Sequence, residues 1–120
     1  MARYTHDLTV DIPLSHLYDQ VTDVLKACNL EILYFKDDYL MARETPGKVP
    51  FAKLVTVEVL VDNTRATPEK TNLNVVVKNE ELPLQTDNHC YQVYQQLNRA
   101  IIDNKGWNLS NSSVIDAAAS

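Results

Sequence analysis

A chain of 120 residues with 45% hydrophobic and 22% charged side chains has the make-up of a globular domain, long enough to bury roughly two-thirds of its unfolded surface without a disulfide or a metal. Its formal charge of −5 has the wrong sign for a phosphate backbone or an anionic membrane surface, so neither nucleic-acid nor membrane binding is expected. The two glycines, Gly47 and Gly106, leave no material for a glycine-rich phosphate loop, and no Gly-x-Ser-x-Gly nucleophile motif occurs.

Arg3 to Ile12 reads as a first strand, because Tyr4, His6, Leu8, Val10 and Ile12 alternate with more polar neighbours. Pro13 ends it and suits the first turn of a helix, since its missing N–H is one that a helix start leaves unpaired anyway. Leu14, Leu17, Tyr18, Val21, Val24, Leu25 and Cys28 then recur at steps of three and four, the period of one helical face, and predict a helix running to about Asn29. Leu30 to Lys36 and Tyr39 to Glu44 are apolar and aromatic strands separated by Asp37-Asp38, a polar pair that suits a hairpin turn. A loop of turn formers, Thr45 to Pro50, follows.

Lys53 to Val61 is the cleanest strand pattern, with Val55, Val57, Val59 and Val61 in strict alternation. Leu73, Val75 and Val77 alternate with Asn72, Asn74 and Lys78 in the next, and Val76 is the apolar exception on its polar face. These two are expected to be antiparallel neighbours, each solvated on one side. Glu80 to Asp87 forms a connection in which Thr86 or Asp87 supplies an N-cap. The last helix carries Cys90, Val93, Tyr94, Leu97 and Ile101 on one face and ends near Asn104, with Gly106 at the position that favours a C-terminal cap. From Trp107 to Ser120 the residues are mostly small and polar, and the expectation is a mobile tail after a single domain over residues 1–106.

The order strand, helix, four strands, helix predicts a two-layer α+β domain, with an antiparallel sheet of about five strands and both helices on one face. The run Val10-Asp11-Ile12-Pro13-Leu14 leading into Leu17-Tyr18-Asp19-Gln20-Val21 is similar to the strand-proline-helix opening of START-like domains, and the element order resembles the helix-grip and TATA-binding-protein-like architectures. That resemblance implies a groove between sheet and last helix that takes a small hydrophobic ligand. The chain is shorter than most START-like proteins, which implies a cavity that is reduced or filled. A fold by itself transfers no function.

Chemistry-bearing residues are sparse. His6, His16 and His89 are far apart and none has a partner at metal-ligand spacing, so no metal or other cofactor is expected. Cys28 and Cys90 fall in the apolar helix stripes, where a free thiol behaves as a small hydrophobe, and core packing is favoured over a nucleophilic role for Cys90. Glu80-Glu81 and Asp37-Asp38 are adjacent in extended chain and point to opposite faces, so neither is preformed for shared proton transfer. Two places look like interaction sites. One is the connection carrying Glu80, Glu81, Leu82 and Leu84, where leucines are rimmed by solvated or partner-facing charge. The other is the aromatic hairpin with Tyr34, Phe35 and Tyr39.

Met1 to Asp11 has no continuous apolar run of signal-peptide type and no segment reaches the ~20 apolar residues of a membrane span, so the expected location is cytoplasmic. In that setting the sequons at Asn108 and Asn111 are accidental. The expected function is that of a non-catalytic binding or assembly protein working through a protein partner or self-association as a homodimer. The alternative is a START-like domain binding a small hydrophobic ligand.

Overall fold

A computed structural model of the chain describes residues 2–12, 14–36, 38–47, 49–62, 70–81, 88–103 and 109–115; Leu14, Ser15 and residues 109–115 are described by their backbone only. In chain order the elements are β1 (Ala2–Val10), α1 (Leu14–Ala27), β2 (Leu30–Lys36), β3 (Tyr39–Glu44), a 3-10 turn (Phe51–Lys53), β4 (Thr56–Asp62), β5 (Thr71–Asn79), α2 (His89–Asp103) and β6 (Leu109–Ile115). The strands form one antiparallel sheet in the order β2-β3-β4-β5-β1-β6, an α+β fold with the helices packed on one face.

The period-2 patterns translate directly into the two faces. Tyr4, His6, Leu8 and Val10 of β1 lie with Val57 and Val59 of β4 and Leu73, Val75 and Val77 of β5 under the helices, all of them buried. From the helix layer Leu17, Val21, Val24 and Leu25 meet Val93, Tyr94, Leu97 and Ile101 in the same core. Each such Leu or Val, taken out of water, contributes about 1.5–3 kcal/mol. The opposite face is polar and cross-strand bonded. Tyr39 donates to Glu58 at 2.6 Å, Lys78 pairs with Glu58 at 2.5 Å, and Thr9 donates to Asn72. Lys78 and Tyr39 together hold the Glu58 carboxyl below its ordinary range despite partial burial, and the bond to Glu58 pushes the Tyr39 phenol up to about 12. Val76 is buried even on this polar side.

α1 ends at Ala27, one residue before the end of its apolar stripe at Cys28. Asn29 takes a positive φ of 62°, with Cys28 and Asn29 donating their N–H groups to Leu25 and Lys26 carbonyls, a left-handed stop that Asn tolerates better than a branched residue. The helix then hands the chain to β2 at the far edge of the sheet, separated from β1 by three strands.

Two expectations change. The tail reading changes, because residues 109–115, expected to belong to a mobile tail, add a sixth strand to the predicted sheet and pair with β1 from Thr5↔Ile115 to Val10↔Leu109, with an irregularity between Thr9 and Val10. The physical reason is that main-chain pairing along a free edge needs no apolar side-chain pattern, so a stretch such as Ser110-Asn111-Ser112-Ser113 gives no compositional warning. The predicted N-cap at Thr86 or Asp87 lies outside the described residues; the cap observed is Asn88, whose Oδ1 accepts from the Tyr91 N–H at 3.1 Å.

Candidate functional site

Titratable groups converge where the ends of β3 and β5 meet the start of α2. Glu44 closes the inward series Leu40, Ala42, Glu44 on β3 and is buried. Its carboxylate lies 2.8 and 2.9 Å from Nε2 of His89, and its Oε1 accepts the Val55 N–H at 3.2 Å. Glu81, expected to be solvated or partner-facing charge, is buried instead, and this is a correction. Its Oε2 accepts the His89 N–H at 3.1 Å, and its Oε1 accepts the Cys90 N–H at 2.8 Å and the Asn79 side-chain amide at 2.5 Å. The reason is geometric: one carboxylate with two oxygens reaches the first two free N–H groups of α2, while the helix dipole favours an anion there. Asn88 takes the third N–H, and the fourth, that of Gln92, bonds the Asn88 carbonyl. Burial raises the Glu81 carboxyl, but the bonds from Asn79, His89 and Cys90 outweigh it, leaving a net pKa below the ordinary range.

A His–Glu pair is half of a nucleophile-activating arrangement, so its surroundings decide its meaning. Cys90 sits one residue away, fully buried, with its thiol directed at the Ala2 carbonyl 3.9 Å off. Burial first, then the Glu81 and Glu44 charges, push that thiol up to about 12, the opposite of an activated nucleophile. Cys28 is likewise buried and free, its thiol raised by burial. Among the described residues no group of three or more His, Cys, Asp or Glu side chains is arranged to hold a metal ion. The bonds of this cluster run to backbone and to one another, and they tie the start of α2 to the ends of β3 and β5.

A second buried polar group lies between β1 and α2. His6 is fully buried with Nδ1 2.8 Å from Asn98 Oδ1, so the ring nitrogen is the donor, and burial lowers the His6 pKa below its ordinary value. Around it Tyr4 stacks on Tyr94, with centroids 5.1 Å apart, and Tyr94 donates its hydroxyl to the Thr5 carbonyl. These groups too are spent on internal bonds.

The aromatic hairpin is different. β2 is an edge strand whose second half is exposed, with Leu33, Tyr34 and Phe35 at 52%, 48% and 46% in succession. The register slips between Ile32 and Tyr34, so Leu33 is a bulge residue and the faces switch across it. Ile32 and Phe35 point to the helix side, opposite Ala42 and Leu40, whereas Glu31, Tyr34 and Lys36 point to the open face, opposite Arg43, Met41 and Tyr39. Phe35 packs its ring on Tyr18 of α1 at 4.3 Å, and Tyr34 packs on Tyr39 at 5.9 Å, beside Leu60. Apolar surface therefore wraps both sides of one free edge.

Of the predicted interaction residues, Tyr34 and Tyr39 meet at this edge, Glu80 is exposed, Glu81 is buried in the cap, and Leu82 and Leu84 lie outside the described residues. Sequence reasoning missed Leu33, Tyr18 and Leu60. The signal for Leu33 was present as three successive large apolar residues, a run that breaks period-2 alternation and marks a bulge or an open edge. Glu44 was also missed, although a carboxylate at an inward position of an alternating strand is itself a signal.

Among the described residues two small voids lie between sheet and helices. The void ringed by Val24, Leu25, Val75 and Leu97 holds about 10 Å³, and the notch beneath Tyr18 and Phe35 about 70 Å³. No protein-family model matches the chain, and comparison with curated proteins and solved structures likewise finds no significant match. Among the described residues no helix is long and apolar enough to cross a membrane.

Proposed function

We propose that the protein is a non-catalytic binding or assembly module that works through protein contacts along the open β2 edge. The observation that carries this reading is the exposed run Leu33-Tyr34-Phe35 on an edge strand, extended by Tyr18 on one face and by Tyr39 and Leu60 on the other. An edge strand offers unpaired N–H and C=O groups, and exposed apolar side chains on both sides of it supply the burial that strand addition needs. Natural sheets blunt such edges, and the bulge and the charges of Glu31 and Lys36 do so in part; three large apolar residues in succession undo much of it.

The buried His, Glu and Cys groups support a non-catalytic reading because each is engaged in internal bonds or has a thiol shifted away from reactivity. The START-like alternative rests on element order and on the strand-proline-helix run, and the 10 Å³ void ringed by Val24, Leu25, Val75 and Leu97 lends it no support, being far below the ~300 Å³ of a small-molecule site. Two free buried cysteines suit a reducing compartment such as the cytoplasm.

Native mass spectrometry of protein purified gently from its own source tests this. A ligand-free dimer or a defined protein complex, lost in Leu33→Lys and Tyr34→Lys variants of unchanged melting temperature, is the expected result. A monomer carrying a small molecule, or an association indifferent to both substitutions, overturns the proposal.

A further inference from the structure

The charges at the two ends of the exposed run say what the edge accepts. Glu31 and Lys36 are both exposed, both on the open face, and among the described residues neither is in an ion pair within the chain. They flank Ile32 and Phe35, which both point to the helix side. When a second copy approaches with its β2 antiparallel, a two-fold axis perpendicular to the sheet keeps each face on its own side. Paired residues must then share a face. In an unbroken strand that condition selects registers in which a residue meets its own symmetry mate or another of the same parity; the bulge at Leu33 reverses the parity and admits the register Glu31 opposite Lys36 and Ile32 opposite Phe35.

That register places two symmetric Glu–Lys pairs on the open face and two Ile–Phe pairs on the helix side, with the Leu33-Tyr34 segments crossing at the axis. Shifting by two residues, to Leu30 opposite Phe35 and Glu31 opposite Tyr34, keeps the faces but loses both ion pairs. The helix side has room for the added strand, since an open groove of about 440 Å³ runs between α1 and β2 past Tyr18, Thr22, Lys26 and Ile32. We infer that β2 pairs with β2 of a second copy of this chain, joining the two sheets into one through Glu31–Lys36 contacts. The inference rests on the proposed role of the β2 edge and names its occupant.

A charge swap separates this from any general stickiness. Lys36→Glu makes both cross-pairs Glu–Glu, and Glu31→Lys makes both Lys–Lys, with Arg43 nearby adding to the latter. Each variant alone is expected to self-associate about tenfold more weakly in sedimentation equilibrium at tens of micromolar, as opposed charges across strands become like charges at two sites. An equimolar mixture of the two variants makes both pairs complementary again and is expected to regain wild-type affinity as a heterodimer. Both substitutions are at exposed positions, and circular dichroism checks that the folds are intact.

A wild-type chain that stays monomeric, or a dimer whose variants are not rescued by mixing, overturns the inference. The underlying edge reading is judged separately. If Leu33→Lys abolishes a complex with a different protein while the wild type is monomeric, the edge stands and the second copy falls; if Leu33→Lys changes no association at all, both fall.

Discussion

Glu81→Ala is the sharpest test of how this chain is held together, because a solvated Glu81 and the buried Glu81 of the structure predict different results. Removing the carboxylate leaves the His89 and Cys90 N–H groups without their acceptors, at about 1–2 kcal/mol for each buried donor. It also takes an anion from the start of α2, worth about 0.5–1 kcal/mol. Asn79 keeps one bond, to the Lys53 carbonyl, so its share is small. The expected loss is about 3 kcal/mol in all, which lowers a urea midpoint by about 2 M and a melting temperature by about 12 °C for a domain of this size.

Glu81→Gln retains one acceptor oxygen and is expected to lose about half as much, whereas Glu80→Ala, at an exposed position, stays within ~0.5 kcal/mol. The acid limb adds an independent check. The Glu81 carboxyl is held below its unfolded value, so its contribution is complete above the ordinary Glu range and fades as pH falls through the lowered value; Glu81→Gln is expected to flatten that part of the stability profile. A urea midpoint for Glu81→Ala indistinguishable from wild type, or a loss equal to that of Glu80→Ala, refutes the capping argument.

Three further outcomes follow, two from buried groups and one from a helix end. His6 has a folded pKa below its unfolded value, so the unfolded chain takes up the proton first: stability is full above about 6.5 and falls as pH drops below it, and His6→Gln removes that slope in urea titrations between pH 7 and 5. A slope unchanged in the variant assigns it elsewhere. With Cys90 pushed up to about 12 from 9.0, its thiolate is about a thousandfold scarcer at pH 8 than for an ordinary thiol, so alkylation of native protein is expected to be slower by at least that factor and to become rapid in urea; rapid native labelling at Cys90 contradicts the placement. At Asn29, with φ of 62°, Gly is expected to match wild-type stability within ~0.5 kcal/mol and Val to lose about 1–2 kcal/mol, and equal stability of the two variants argues against a left-handed stop.

Much of the fold could be read from period alone. Val57, Val59, Leu73, Val75 and Val77 are buried where alternation put them, and Val21, Val24, Leu25, Val93, Leu97 and Ile101 where helical spacing put them, because burial on one face is a property each element carries locally. Tyr18 shares the α1 stripe but is 40% exposed, since it overhangs the sheet edge and covers Phe35 rather than the core. What lay beyond the sequence was every feature made by a distant partner. β6 exists because β1 has a second edge to pair, Glu81 is buried because the start of α2 arrives beside it, and Glu44 meets His89 across 45 positions of sequence.

The same division holds at the candidate interface. The sequence by itself determined that Leu33, Tyr34 and Phe35 are consecutive and flanked by Glu31 and Lys36, and that no metal-ligand spacing or phosphate loop accompanies them. Only the tertiary structure decided that β2 lies at the edge of the sheet, that the bulge turns Glu31 and Lys36 to one face, and that the void ringed by Val24, Leu25, Val75 and Leu97 holds about 10 Å³. Strand order and register are set by pairings between residues far apart in the chain, and local pattern carries no record of which strand a given edge will meet.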